Sequence, residues 1–108
     1  MFEFRAELIR VVDGDTVDLL VDLGFNTFIR DRFRLLGINA YEMRGEEREK
    51  GLKAKDCLID AMNDKELIIT TSKNPKGKYG RWLATIHADG VNINQLLVEK
   101  GHAVFKDY

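Results

Sequence analysis

The stretch "VVDGDTVDLLVD", Val11 to Asp22, reads as the middle of a β-hairpin. Asp13-Gly14 is a tight-turn signal, and the residues beyond it alternate between apolar and polar. Side chains of a strand alternate with period two, so Asp15, Val17, Leu19 and Val21 share one face. The three apolar members make that face the core side. Asp15 then sits at the end of the row, pointing the same way. A turn calls for glycine but not for two flanking acids, so this concentration of charge at a strand end needs a chemical reason.

Outward from the hairpin the chain keeps the same short-strand rhythm. Glu3 to Val12 is strand-like, and Leu23-Gly24-Phe25-Asn26 marks a second turn. "TFIRDRFRLLGI" is a third strand, with Ile29, Phe33 and Leu35 on one face and Arg30, Arg32 and Arg34 on the other; Asp31 interrupts the apolar set. Glu46 to Asp64 is the main helix, because Ala54, Leu58, Ala61 and Met62 recur at three- and four-residue spacing. Glu66 to Thr71 is a β-branched fourth strand. "SKNPKGKYG" is a loop by its Asn-Pro and glycines, and "RWLATIHA" a fifth strand ended by Asp89-Gly90. A short last helix, capped by Asn92 or Asn94, stops at Gly101. The pattern is α+β and mainly β. It has five short strands, one long helix between the third and fourth, and a short C-terminal helix. A five-stranded Greek-key barrel of the OB type leads the possible arrangements, and other small α+β folds fit the same pattern.

The 108 residues make one domain of common size, with no repeat or linker. A composition 44% hydrophobic and 32% charged is that of a folded globular chain rather than a disordered one. No apolar run approaches the roughly 20 residues that span a bilayer, so no membrane partner is expected. "MFEFRAELIR" lacks the blocks of a signal peptide, which places the protein in the cytoplasm if the chain is complete. Cys57 is the sole cysteine, so there is no internal disulfide, and its expected role is a buried apolar filler. The net charge of −1 does not mark a nucleic-acid binder in bulk. Basic residues nevertheless cluster, as Arg30, Arg32 and Arg34 and again as Lys73, Lys76, Lys78 and Arg81. They are either solvated faces or a surface for an anion.

Four of the polar residues stand where a strand meets a loop: Asp15, Arg34, Glu42 in "GINAYEMRG", and Arg81 at the start of the fifth strand. A structural ion-pair network accounts for such a set. A phosphodiester site needs the same parts, namely a carboxylate for a hard cation, a base for water and guanidiniums for phosphate oxygens.

"VVDGDTV", "RFRLLGINAYE" and "GKYGRWLATIHADGVNINQLLVEKG" together resemble the staphylococcal-nuclease (thermonuclease) family, in order and spacing, from about Glu7 to Val104. The resemblance implies an OB-fold barrel, calcium-dependent hydrolysis of DNA and RNA, and products ending in 3′-phosphate. It makes Asp15 the principal calcium carboxylate, with Asp13 ordering metal-bound water. Arg34 and Arg81 would bind the scissile phosphate, and Glu42 would be the general base or water positioner. Tyr79 would contact a terminal phosphate, with Lys78 beside it as a substrate-binding residue. The acidic turn would then exist to hold a cation at the barrel mouth. The alternative function is a non-catalytic OB module that binds nucleic acid or protein.

The chain departs from the family pattern at three neighbouring positions. Asn39 stands where the family usually has a second metal-binding aspartate, and Ala40-Tyr41 where it has threonine then proline. Ala40 can still offer its backbone carbonyl to calcium, and Asn39 an uncharged amide oxygen, so weak calcium binding is expected. Relatives continue into another helix beyond the position of Tyr108, so apolar surface left uncovered is expected to cause either weak self-association or reduced stability. No role carries over to Phe105 or Tyr108. His87 and His102 lack zinc-ligand spacing, Trp82 is assigned to packing, and Gly77 and Gly80 are loop punctuation.

Overall fold

The computed structural model describes residues 3–73 and 82–106. Its barrel begins with an antiparallel meander of β1 (Glu3–Asp13), β2 (Thr16–Asp22) and β3 (Phe28–Leu35). A three-residue strand β4 (Ile38–Ala40) and a single 3-10 turn (Gly45–Glu47) lead into α1 (Arg48–Met62). Then come β5 (Leu67–Lys73), β6 (Trp82–Ala88), β7 (Val91–Asn92), α2 (Ile93–Glu99) and β8 (Ala103–Phe105). β5 pairs with β1 and with β6, and β6 runs parallel to β3 through Phe33–Trp82, Arg34–Leu83 and Leu35–Ala84. That parallel seam closes five strands into an OB-type barrel, with the long helix between the third and fourth barrel strands as expected.

The period-two reading of β2 holds: Val17, Leu19 and Val21 are buried, and Asp15 is buried with them at 7% exposure. The hairpin loop itself is Gly14-Asp15, one residue later than the Asp13-Gly14 signal, since Asp13 pairs with Thr16. Gly14 is not in the left-handed region; it is needed for space. A Cβ there would stand 2.8 Å from the Cβ atoms of both Ala40 and Ala54, closer than packed carbons approach. The turn is thus pressed between β4 and α1.

β3 departs from expectation in its first half. Ile29 was expected on the core face with Phe33 and Leu35, but it is exposed, as are Phe28 to Arg32 throughout. Among the described residues only β2 pairs with that half, so it runs beyond the barrel wall and has no inside face.

Burial of Gly51, Ala54, Leu58 and Met62, at spacings of three and four, gives α1 its core stripe. Ala61, expected in that stripe, packs at its edge and is half-buried. At Gly51 a side chain would overlap the Glu42 carbonyl, so the helix backbone lies directly on the segment after β4.

α2 is capped by Asn92, whose side chain accepts the Gln95 N–H at 3.1 Å. It ends at Gly101 (φ 78°) in a Schellman arrangement: the His102 N–H donates to the Leu97 carbonyl and the Gly101 N–H to that of Val98. Asn94, the other capping candidate, has a different job. Buried at 5% exposure, it accepts the Ile86 N–H at 3.1 Å and donates to the carbonyls of Leu36 and Ala84 at 2.9 and 3.0 Å. It ties α2 to β6 and to the link between β3 and β4. β8 then pairs with β4, setting Val104 opposite Asn39 and Ala103 opposite Ala40. The C-terminal unit therefore fixes the strand on which those two residues ride.

Candidate active site

The hairpin loop Gly14-Asp15, the end of β3 and the segment Asn39 to Arg44 enclose a cleft of about 490 Å³ at one mouth of the barrel. Asp13, Asp15, Arg34, Asn39, Ala40 and Glu42 all line it, so residues separated in the sequence are brought to one place. Lys78, Tyr79 and Arg81, the other expected site residues, lie outside the described residues, as does Tyr108.

Asp15 is held on both sides. Its backbone carbonyl accepts the Leu35 N–H at 2.8 Å, locking the turn to β3. Its Oδ2 accepts the Ala40 N–H at 3.0 Å, and Thr16 Oγ1 donates to its Oδ1 at 3.2 Å. Asp13 Oδ1 accepts the Asp15 N–H at 3.1 Å, which braces the loop from below. Arg34 reaches across from β3, with Nη2 at 3.5 Å from Asp15 Oδ2 and donating to Asn39 Oδ1 at 2.9 Å. Arg34 is thus the cross-piece of the cleft, and Asn39 is its partner on β4.

Burial pushes the Asp15 carboxyl above its ordinary value of 3.8. Asp13 adds to the rise, while the Ala40 N–H and the Arg34 guanidinium oppose it without cancelling it. The contrast on the outer wall is instructive. Asp18 meets Arg32 directly across the β2–β3 ladder, through Nε to Oδ1 at 2.8 Å and Nη2 to Oδ2 at 3.3 Å. That bidentate contact depresses the Asp18 carboxyl below 3.8. One aspartate of β2 is satisfied by its arginine, and the aspartate at the mouth is not.

Glu42 lies on the same cleft with its side chain 68% exposed, 3.9 Å from Arg44 Nε. Its backbone is fixed, since its N–H donates to Glu47 Oε2 at 3.1 Å and its carbonyl lies against Gly51. Tyr41, between Ala40 and Glu42, is another wall residue, and Lys50 Nζ stands 5.1 Å from its ring centroid. Tyr41 stands where the family pattern has proline, and an aromatic between two site residues was the signal available in the sequence.

A hard divalent cation fits the donors present. The Asp15 and Asp13 carboxylates, the Asn39 amide oxygen and the Ala40 carbonyl are all oxygen donors of the kind calcium takes. A buried carboxylate with an uncancelled desolvation penalty also gains from a nearby positive charge. Among the described residues, no three of His, Cys, Asp and Glu, Asp13, Asp15 and Glu42 included, are grouped closely enough to hold a metal ion by themselves. The fit is therefore to an ion that completes its shell with water.

Two roomier hollows carry less chemistry. One of about 670 Å³ lies between the β1–β2 ladder and the end of α1, and the Arg5–Glu66 pair on its rim is well exposed. The other, about 660 Å³, lies between α1 and α2 and contains Cys57, whose thiol is pushed up by burial and so is a poor nucleophile.

The family described as "Staphylococcal nuclease homologue" matches residues 32–108. A micrococcal nuclease of Shigella flexneri is 32% identical over 94% of this chain and 58% of its own length. An uncharacterized protein of Bacillus anthracis is 27% identical over 93% of the chain and 46% of its own, and protein ParB of Escherichia coli 29% over 94% and 56%. The chain spans about half the length of the curated relatives it matches. With a family match over most of the chain and the barrel the resemblance implies, this chain belongs to the staphylococcal nuclease homologue family.

Proposed function

We propose that this domain is a calcium-dependent phosphodiesterase that hydrolyses DNA and RNA, prefers single strands and leaves 3′-phosphate ends. The observation that carries the reading is the mouth cluster: a buried, under-compensated Asp15 beside Arg34, with Glu42 on the same cleft. Asp15, Asn39 and the Ala40 carbonyl would hold the cation, which when bound supplies positive charge beside the phosphoryl oxygens. Arg34, with Arg81, binds those oxygens and stabilises the charge that grows on them in the transition state. Glu42 orients the attacking water and takes its proton as the water oxygen bonds to phosphorus and the P–O5′ bond breaks, the departing O5′ taking a proton from solvent. Lys78 and Tyr79 bind the neighbouring phosphate. An open cleft at a barrel rim reaches splayed phosphates more readily than paired ones, which supports the preference for single strands.

Incubation with single-stranded DNA and RNA, in calcium and in chelator, tests this through the amount of cleavage and the chemistry of the ends. Glu42→Gln and Arg34→Ala should each lower the rate on the order of 10²–10³-fold with the fold intact. Full activity in chelator, or none at any calcium concentration, removes the reading. A second reading, a module that binds nucleic acid without cutting, draws on Asn39 engaged with Arg34 and on Glu42 beside Arg44. Oligonucleotide binding with no product under any condition would favour it.

A further inference from the structure

The geometry points to a nucleobase subsite at Tyr41, on the wall of the same cleft, where the base next to the bound phosphate stacks. The inference rests on the phosphodiesterase reading for its ligand class, single-stranded nucleic acid, and adds a base-binding surface to it.

Four features of Tyr41 agree. It is half-buried and lines the cleft that contains Asp15, Arg34 and Glu42, so a strand with a phosphate on Arg34 passes the residue. Its backbone is anchored at both neighbours: the Ala40 N–H is bonded to Asp15 Oδ2 and the Glu42 N–H to Glu47 Oε2. The close approach of Gly51 to the Glu42 carbonyl removes slack from the same segment. Lys50 Nζ, from the first turns of α1, stands 5.1 Å from the ring centroid and orients it by a cation–π contact.

Aromatic rings on which bases stack, set beside guanidiniums that hold the backbone, are how single strands are bound without sequence preference, since every base has a π-face; Tyr41 stands beside Arg34 and Arg44 on this cleft. A rigid ring with two side-chain torsions also loses little freedom when a base settles on it. A ring that served only to fasten the loop to α1 would need neither the cleft nor the neighbouring guanidinium.

The test is equilibrium binding in chelator, with a short oligothymidylate and an abasic oligomer of the same length and phosphate count. The parent should bind the thymidylate about tenfold or more tightly than the abasic strand. Tyr41→Ala should bring that ratio close to one while abasic affinity stays within about twofold, and Tyr41→Phe should keep the parental ratio. A variant that weakens both strands equally would show that Tyr41 only supports the loop, and would overturn the subsite. So would a parent that does not distinguish the strands or binds neither. Thermal melting of the Ala and Phe variants separates loss of folding from loss of stacking. Cleavage is read separately. Loss of base preference in a protein that never cuts would keep the subsite and remove the hydrolase, and cutting with base preference unchanged in Tyr41→Ala would do the reverse.

Discussion

Asn94 and Asp15 are both buried polar residues, at 5% and 7% exposure, and they have opposite consequences. Asn94 is neutral, and its amide oxygen and nitrogen are bonded to three backbone groups of Leu36, Ala84 and Ile86. Asp15 is ionisable, and burial holds its carboxyl above its ordinary value although the Ala40 N–H and the Arg34 guanidinium oppose the rise. A satisfied buried amide strengthens a fold, whereas an under-compensated buried carboxylate weakens it and is relieved by a ligand. The comparison separates the residue that holds the barrel's C-terminal unit from the residue proposed to hold a cation.

The largest effect should come from breaking the satisfied side. Asn94→Leu leaves the buried Ile86 N–H without its acceptor and removes a donor from two carbonyls. It should cost about 3 kcal/mol or more, read as a shift in the urea midpoint. Because Asn94 also tethers the link into β4, calcium and oligonucleotide affinity should fall in the folded fraction too.

Asp15→Asn should do the opposite in the absence of metal. The amide keeps an acceptor for the Ala40 N–H and removes a desolvated charge, so the variant should gain stability at neutral pH, by about 1 kcal/mol or more. The sign follows from linkage. A carboxyl whose folded value is raised binds its proton more tightly when folded. Its contribution is therefore most favourable at low pH and declines as pH rises through 3.8 and the higher folded value. Relative to the parent, the variant should gain stability across that window and lose the calcium-induced rise in melting temperature. A variant less stable than the parent at pH 7 would mean that the Asp15 charge is fully compensated.

Asn39→Asp sharpens the same contrast by adding charge to the mouth. Calcium affinity rises with the number of charged oxygens, and the increase should be about tenfold in a calorimetric titration. Part of the gain goes to Arg34, which donates to this side chain in the parent. Weaker binding by the aspartate variant would show that residue 39 serves the arginine alone.

The smallest effect belongs to Asp18, the compensated aspartate on the outer wall. Its folded value is depressed by the Arg32 contact, so its stabilisation is present above 3.8 and is lost as pH falls through the lower folded value. Asp18→Asn should slightly lower stability at neutral pH and flatten the acid limb of the pH profile.

Most of the barrel was legible because its strands and main helix carry their own period. The row from Asp15 to Val21, and the three- and four-residue stripe of α1, needed no distant information. β4, β7 and β8 were missed, because strands of two or three residues are too short to show alternation, and β4 and β8 also exist only through each other, far apart along the chain. The exposure of Ile29 was hidden for a related reason: where the barrel wall ends depends on how few residues of β3 meet β6. Asp15, Arg34, Asn39 and Glu42 were legible through the family resemblance, and the structure brings them to one cleft. The bond between Arg34 and Asn39 was not, since it depends on the direction in which β4 leaves the turn after β3, which neither strand's own period encodes.

Among the described residues, the seam that closes the barrel joins β3 to β6 by three residue pairs, roughly fifty positions apart, and Arg34 is the middle one of β3. So distant a pairing repays its loop-closure entropy only after the meander has formed, which makes it a late step of folding and an early one of opening. The amides of Phe33 to Leu35 should then exchange with solvent by sub-global openings faster than those of the β1–β2 ladder. On the proposed phosphodiesterase reading, a strand of nucleic acid bound by Arg34 would act as a latch on that seam. Bound substrate would then slow the breathing of the barrel.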